Sequence, residues 1–443
     1  MQNQHIIGQL TVEIHGANTA NAGDYQQACS QQVRSERFLS ALNEELDRLA
    51  GDGVVLQIPR LEIELRMERE GDFERAFPEA LRKALAHQVA HAHQQTMSVG
   101  KSVIALALHF LERGTLPWNA SAQQKSAVQH LLTTADIGEA EAFLQEMEQR
   151  AAQQPSMWLR LICAVGLERV KYLLRSRYSF SSGLLEWLAE LAAAPGDATM
   201  DGSASPQGLP GTPLAALRIW QLALQHRDLA ARGEYIFQEK LKGLIPAQQP
   251  FFENKATRPE RIDPAEWMSP VAVDVPFEEA VFIQNAGVVL LAPFFLVLFE
   301  RTGLVENRRF VSEEAQHTAV HLLQYLVTGE QQVWEYDLSL HKLLCDVPEE
   351  MPIHRFTLLS DAQRTEADEL LKEAIRQWAV LKSTSAAGLR EMFLQREGKL
   401  TRDGRHGRLQ VERKAVDVLM ERLPWGFSVI KLPWMEGVLY VEW

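Results

Sequence analysis

Four short groupings in this 443-residue chain carry residue types that could do chemistry. Gly100-Lys101-Ser102 has the ending of a phosphate-binding loop, in which backbone amides wrap the phosphate and a lysine reaches it. That loop needs an earlier glycine where this chain has Gln95, and no strand is expected ahead of the helix that follows. The triplet therefore reads as a helix start. Glu313, His317 and His321 recur every fourth residue, a spacing that lines one helix face and could hold a transition metal. The helical wheel places them with Gln324 and Thr328 on a polar stripe opposite Ala315, Ala319, Leu322 and Leu326. With no HExxH order and no third ligand on another element, a solvated or interface face is expected there, and no metal site.

His341 and Cys345 make a second pair one turn apart, among Leu338, Leu340, Leu343 and Leu344. A nucleophilic cysteine needs a base and an oxyanion site from elsewhere in the fold, and packing alone explains a cysteine in so apolar a segment. His87, His91 and His93 fall on the polar side of an expected helix. The chain has no GxSxG and no glycine-rich dinucleotide fingerprint. We therefore assign no catalytic, cofactor-binding or metal residues and read the protein as non-enzymatic. An enzyme whose site assembles only in three dimensions is the most distant alternative.

A different pattern does recur. Leu-Pro-Trp occurs at Leu116-Pro117-Trp118, Leu423-Pro424-Trp425 and Leu432-Pro433-Trp434. Each proline forces the preceding leucine into extended geometry, so the indole is presented from a bend. Such a ring buries a large apolar body and keeps one N–H donor, which suits a core corner or an intermolecular anchor. Val438, Leu439, Tyr440, Val441 and Trp443 form a strand that must be tied down. It can pair with residues 427–432 through a turn at Met435, Glu436 and Gly437, and at a sheet edge that pair could add to a neighbouring subunit. Trp118, Trp425, Trp434, Tyr440 and Trp443 are the candidate interaction anchors.

The elements that would position these residues are mostly helices. Ile7 to Ile14 alternates like a half-buried strand, and Val33, Phe38, Leu39, Leu42, Leu46 and Leu49 recur at helical spacing before Gly51. A second strand over 54–67 changes phase near Pro59, and a helix over 72–93 completes a β-α-β-α unit. Residues 98–194 read as helices punctuated by Gly114, Pro117 and Pro155. The stretch 195–213 holds four Gly and four Pro, too few apolar groups to offset its ordering entropy, and reads as a linker. Two helices then run to about Leu244. Further helices are expected at 277–299, 312–327, 362–381 and 385–396, then a hairpin over 399–411 turning through Asp403-Gly404 and Gly407, and a helix over 413–422. The expected fold class is α+β, predominantly α-helical. Its domains would be an N-terminal α+β domain (1–95), a central helical region (96–245) and a C-terminal α+β domain ending in a β-hairpin (265–443).

Composition limits the partners. The net charge of −13 argues against a nucleic-acid binder, which gains affinity from Lys and Arg that release counterions. Cys29, Cys163 and Cys345 are an odd number, far apart and without CxxC, so neither a disulfide framework nor a zinc ribbon is expected and a reducing compartment fits. The first residues lack the basic start and apolar stretch of a secretory signal. The apolar run 286–299 is broken by Pro293 and falls short of the roughly 20 residues of a membrane helix. Protein partners are expected.

One long run resembles a known family. Val411-Glu412-Arg413-Lys414 through Leu423-Pro424-Trp425-Gly426-Phe427-Ser428-Val429-Ile430-Lys431-Leu432-Pro433-Trp434-Met435 to Leu439-Tyr440-Val441-Glu442-Trp443 is similar to the carboxyl-terminal signature of contractile injection system tape measure proteins. Asn285-Ala286-Gly287 with Leu290 to Phe294, HLLQYLVTGE from His321, LHKLLC from Leu340 and LKSTSAAGLREMFLQREGKL from Leu381 resemble the same family. So do His5-Ile6-Ile7 with Val12-Glu13-Ile14, and the segment 110–118. The likeness is weakest between about 120 and 270. Around Lys342-Leu343-Leu344-Cys345 the family more usually carries Asn and Gly where this chain has His341 and Asp346.

The resemblance implies a structural tape measure or assembly component of a phage-tail-like particle, helping to set or initiate tube and sheath assembly, with no cofactor. The implied partners are tube, spike or baseplate proteins, along with self-association, and neither nucleic acid nor membrane insertion. Its expected place is the cytoplasm during assembly and then the assembled particle. A soluble assembly chaperone or cargo adaptor for the same particle is the alternative. Drawn out as one helix, 443 residues would reach about 660 Å. Pro and Gly limit single rods to about 25 residues, or about 40 Å, and no heptad pattern persists.

Overall fold

The computed structural model describes residues 97–193, 214–244, 280–381, 383–403 and 406–443, with a few positions between 38 and 84. It is α+β and predominantly helical. The chain divides into two compact units, one of residues 1–106 with 119–128 and the other of 107–118 with 129–443.

In the first unit β1 (Val54–Val55) pairs antiparallel with β2 (Met97–Ser98). Phe38, Leu42, Glu44 and Leu46 are helical, as are Phe77 and residues 79–84. The Phe38 and Phe77 rings lie 4.5 Å apart. The expected strand at 7–14, and His87, His91 and His93, fall outside the described residues. Helix α1 (Val99–Arg113) begins directly after β2, so a short strand does precede Gly100-Lys101-Ser102. That corrects the sequence expectation, although Gln95 still stands where a phosphate loop needs glycine.

Helices α2 (Ala122–Thr133), α3 (Ile137–Ala151), α4 (Ser156–Val165), α5 (Leu167–Ser176), α6 (Ser182–Ala193), α7 (Leu214–Gln225) and α8 (Glu234–Leu244) follow. Their starts follow from local chemistry. The Asp136 carboxylate accepts from the Glu139 N–H at 2.8 Å, filling one of the orphan donors at the start of α3. α3 then buries Ala140, Phe143, Leu144, Met147 and Ala151 at spacings of three and four. α4 is apolar all round and buried from Met157 to Val165, the mark of a central helix. It ends at Gly166 with φ +77, where a Cβ would stand 2.9 Å from the Phe356 ring.

In the second unit the C-terminal part opens with β3 (Val281–Ile283), a 3-10 helix over Ala286–Phe294 and helix α9 (Phe295–Arg301). The expected single helix over 277–299 is thus replaced by three elements. An unbroken apolar run carries no period to distinguish strand from helix, and β3 is decided by its partner, pairing Val281 with Leu400 and Ile283 with Gly398. The hairpin β4 (Val305–Glu306) and β5 (Arg309–Phe310) leads to α10 (Glu313–Thr328), capped by Ser312 and closed by Gly329 in the left-handed conformation. α11 (Ser339–Leu344) is short, and Asp346 after it takes φ +56, a backbone that glycine adopts without cost. α12 (Asp361–Gln377) starts on a capping box between Ser360 and Gln363. α13 (Ala386–Leu389) continues as a π turn over Arg390–Leu394.

The closing sheet has the order β3, β6 (Gly398–Asp403), β7 (His406–Val411), β9 (Leu439–Glu442), β8 (Val429–Ile430). β6 and β7 form the expected hairpin, with Gly398 opposite Val411 and Asp403 opposite His406. Gly407 lies inside β7 and not in the turn. A Cβ there would meet Leu343 at 2.6 Å and Leu439 at 3.0 Å, so its role is close approach. β9 pairs antiparallel with β8, as expected of the terminal pair, and also parallel with β7 from Gly407–Leu439 to Gln410–Glu442. The last strand is therefore internal to the sheet, and β8 forms the edge. Residues 415–422 form a 3-10 helix.

Candidate functional site

Two places in the second unit concentrate unusual side chains. The first is a buried polar seam. Arg160 is the one charge in the apolar run of α4 and is fully buried. Its Nε lies 3.2 Å from Glu335 Oε2, Nη1 donates to the carbonyls of Leu111 (2.7 Å) and Glu112 (3.0 Å), and Nη2 donates to that of Glu350 (2.7 Å). Lys342 Nζ pairs with Glu335 Oε1 and donates to the carbonyls of Met351 at 2.7 Å and Glu349 at 3.1 Å. Two cations thus share one carboxylate out of water, and backbone carbonyls accept from both Arg160 Nη atoms and from the Lys342 ammonium. Removing charges from water is costly unless every donor is satisfied. Burial pushes the Lys342 ammonium below its ordinary value, with Glu335 opposing the shift. Arg355 stacks over the Trp334 ring at 4.2 Å and donates its backbone N–H to the Cys163 carbonyl. Gly114, at φ +80, leaves room for Glu335, which a Cβ would meet at 2.6 Å.

Beside the seam lie four buried histidines. His317 and His321 sit on α10, His341 on α11 and His354 between α11 and α12. Of the solvated or interface face expected on α10, the solvated reading is overturned for His317, His321 and Gln324, since all three are buried within the chain. A helical wheel sees only one helix, whereas here a second layer covers the polar stripe as well as the apolar one. His321 Nε2 lies 3.0 Å from the His354 carbonyl oxygen. His317 Nε2, His321 Nδ1, His354 Nδ1 and both His341 nitrogens have no hydrogen-bond partner. Burial pushes His317 and His341 down to about 3, and His321 and His354 to about 4. Glu313 points elsewhere, 3.4 Å from Arg218. Among the described residues no group of three or more His, Cys, Asp or Glu side chains is arranged to hold a metal ion. Cys163 and Cys345 are buried, and burial raises both thiols, the opposite of an activated nucleophile.

The second place is the terminal segment. Trp434 is turned inward, donating to the Leu344 carbonyl at 2.8 Å with its ring 5.0 Å from Phe310 and 5.3 Å from Phe299. Trp425 is half-buried, donating to the Leu290 carbonyl at 2.8 Å with its edge toward Phe294. Trp443 is half-buried, with Nε1 3.0 Å from Asp417 Oδ2, and its carbonyl oxygen accepts from Arg413. Asp417 also accepts from the fully buried Arg396 at 2.6 Å. The chain end is therefore tied down by backbone pairing, an indole hydrogen bond and a carboxylate that itself rests on a buried guanidinium. Tyr440 is half-buried on β9, and Trp118 is half-buried with its ring 6.4 Å from Phe282. Val429, on the β8 edge, is 62% exposed. On the terminal segment Trp425, Tyr440 and Trp443 are thus half-buried, whereas Trp434 is buried.

The seam and His354 escaped the sequence reading. The available signal was a lone charge in each of two apolar runs, Arg160 within 157–165 and Lys342 within 340–345. A charge in such a run needs a buried partner, and nothing local identifies Glu335 as that partner.

No helix among the described residues is long and apolar enough to cross a membrane. Searches of curated proteins and of solved structures return no match. The family model for the contractile injection system tape measure protein matches residues 4–257 and 238–443, reaching to the terminal tryptophan. The run that folds into the internal strand β9 and its tryptophan buttress is the same run whose residues resemble that family's ending, and the chain belongs to the contractile injection system tape measure protein family.

Proposed function

We propose that this chain is a structural component that helps set or initiate tube and sheath assembly in a contractile particle, acting through its folded form. The observation that carries this reading is the mismatch between helix length and ruler length. α12, at 17 residues, is the longest helix among those described, equivalent to about 25 Å. A chain built this way can nucleate or position, and it would serve as a ruler only after being drawn out inside the tube. Its partners are tube, spike or baseplate proteins, met through the half-exposed rings of Trp118, Trp425, Tyr440 and Trp443. The work begins in the cytoplasm and continues within the particle. The short helices equally favour a second reading, a soluble assembly chaperone or cargo adaptor that leaves before the particle is complete.

Electron microscopy of particles from cells lacking the chain, and from cells carrying helical residues inserted near Gly202, tests both readings. Tubes that lengthen in proportion to the insertion would establish a drawn-out ruler. Unchanged length with the insertion, together with no tubes in the deletion, supports an initiator. Retention of the chain in purified particles separates the component from the chaperone.

A further inference from the structure

We propose that His317, His321, His341 and His354 form a proton-operated latch, closed while all four rings are neutral and released when protons enter, freeing residues 339–359 from α10 and α4. Three observations independent of titration support it. The four rings come from three segments that pack on one another, α10, α11 and the loop before α12. Five of their eight ring nitrogens are buried without a partner, so no carboxylate waits to receive an imidazolium. At the adjoining seam two cations, Arg160 and Lys342, share the single carboxylate Glu335, which is therefore already engaged.

The charged and titratable groups packed around the rings point the same way. His317 faces His321 on its own helix, Lys342 on α11, His354 on the loop and Arg218 on α7. His321 faces His354, and His341 faces His321. Glu313, the acid at the start of α10, is engaged with Arg218. Arg402 of β6 is nearby, donating to the Ser339 carbonyl at 2.6 Å and already paired with Glu349 at 3.8 Å. A proton on His317 therefore meets Lys342 and Arg218, and a proton on any of the other three finds no carboxylate among the described residues around it, so the cheapest relief is to let water in by separating α11 and the 345–359 loop from α10. The same movement breaks the Arg160–Glu335–Lys342 seam, because Met351, Glu349 and Glu350 supply its carbonyl acceptors. Protons would thus uncouple α4 from the C-terminal part while leaving helices without buried histidines, such as α3, in place.

The test is hydrogen–deuterium exchange of the full chain from pH 7.0 to 5.0, corrected for intrinsic exchange chemistry. The opening equilibrium of residues 313–328 and 339–359 is expected to rise at least about ten-fold per pH unit below 6.5, with each further ring that takes a proton steepening it by about another ten-fold, while that of α3 stays flat. His341→Phe, which keeps the volume and cannot titrate, should remove about one ten-fold step per pH unit. An opening that tracks α3, or a slope unchanged in the variant, overturns the latch. Carbon-13 NMR of histidine-labelled wild-type protein gives a second reading that needs no variant to fold. Four rings that titrate near the ordinary histidine value in the intact protein overturn it, whereas rings that stay neutral until residues 339–359 open support it.

Discussion

The helical stretch 137–244 and the C-terminal stretch 280–443 solve the same packing problem with different materials. The first is held mainly by apolar helix faces, with Phe143, Leu144, Leu188, Trp220 and Phe237 buried, and pairs Arg150 with Glu112 and Glu146 near water, while its fully buried Arg160 reaches to Glu335 of the second stretch. The second buries Glu335, Lys342, four histidines and Arg396, and packs backbone against Gly287 and leucine side chains against Gly407 so closely that neither position has room for a Cβ. Apolar faces tolerate substitution that conserves volume. A buried charge network and a backbone contact do not, because removing one member leaves another unsatisfied.

Substitutions that separate the two stretches should spread widely in effect. Gly287→Ala would drive a Cβ into the Phe393 carbonyl oxygen, and is expected to cost more than about 4 kcal/mol in urea unfolding, since only backbone movement relieves it. Glu335→Leu leaves Arg160 and Lys342 buried without their acid and should cost about 3–5 kcal/mol. Replacing all three by apolar residues of similar volume should recover most of that loss, and failure to recover it would show that the seam does more than neutralise charge.

Acid acts next in size. His317 and His341 stay neutral in the fold down to about 3, so the unfolded chain takes protons first as pH falls below its ordinary 6.5. The stability these rings contribute is whole above about pH 6.5 and is lost as pH falls toward 3. At pH 5 the loss is about 2 kcal/mol for each ring that remains neutral in the folded state. Denaturant midpoints between pH 7 and 5 check the sign. At the small end, Arg150 is 41% exposed, and Arg150→Ala should change stability by no more than about 1 kcal/mol. A loss as large as that of Glu335→Leu would erase the contrast between the stretches.

Local signals made part of this legible in advance. Ser312 and Gly329 bracket α10 and Ser360 with Gln363 opens α12, so both helices could be placed from their caps, and the alternation in β6 and β7 announced their hairpin. The run 281–299 could not be divided, because a sequence apolar at nearly every position has no period, and the strand β3 exists only by pairing with β6. The polar stripe of α10 reads from sequence as a solvated or interface face because the layer that covers it comes from other segments of the chain.

The sequence by itself determined the family, the helical character, the caps and the alternating strands, since each depends on side chains a few residues apart. Only the tertiary structure decided that β9 lies inside the sheet, that Trp434 faces inward while Trp425 and Trp443 stay half-exposed, and that Arg160 meets Glu335 across 175 positions. Those outcomes depend on which surfaces lose water together, and burial is a property of the assembled chain.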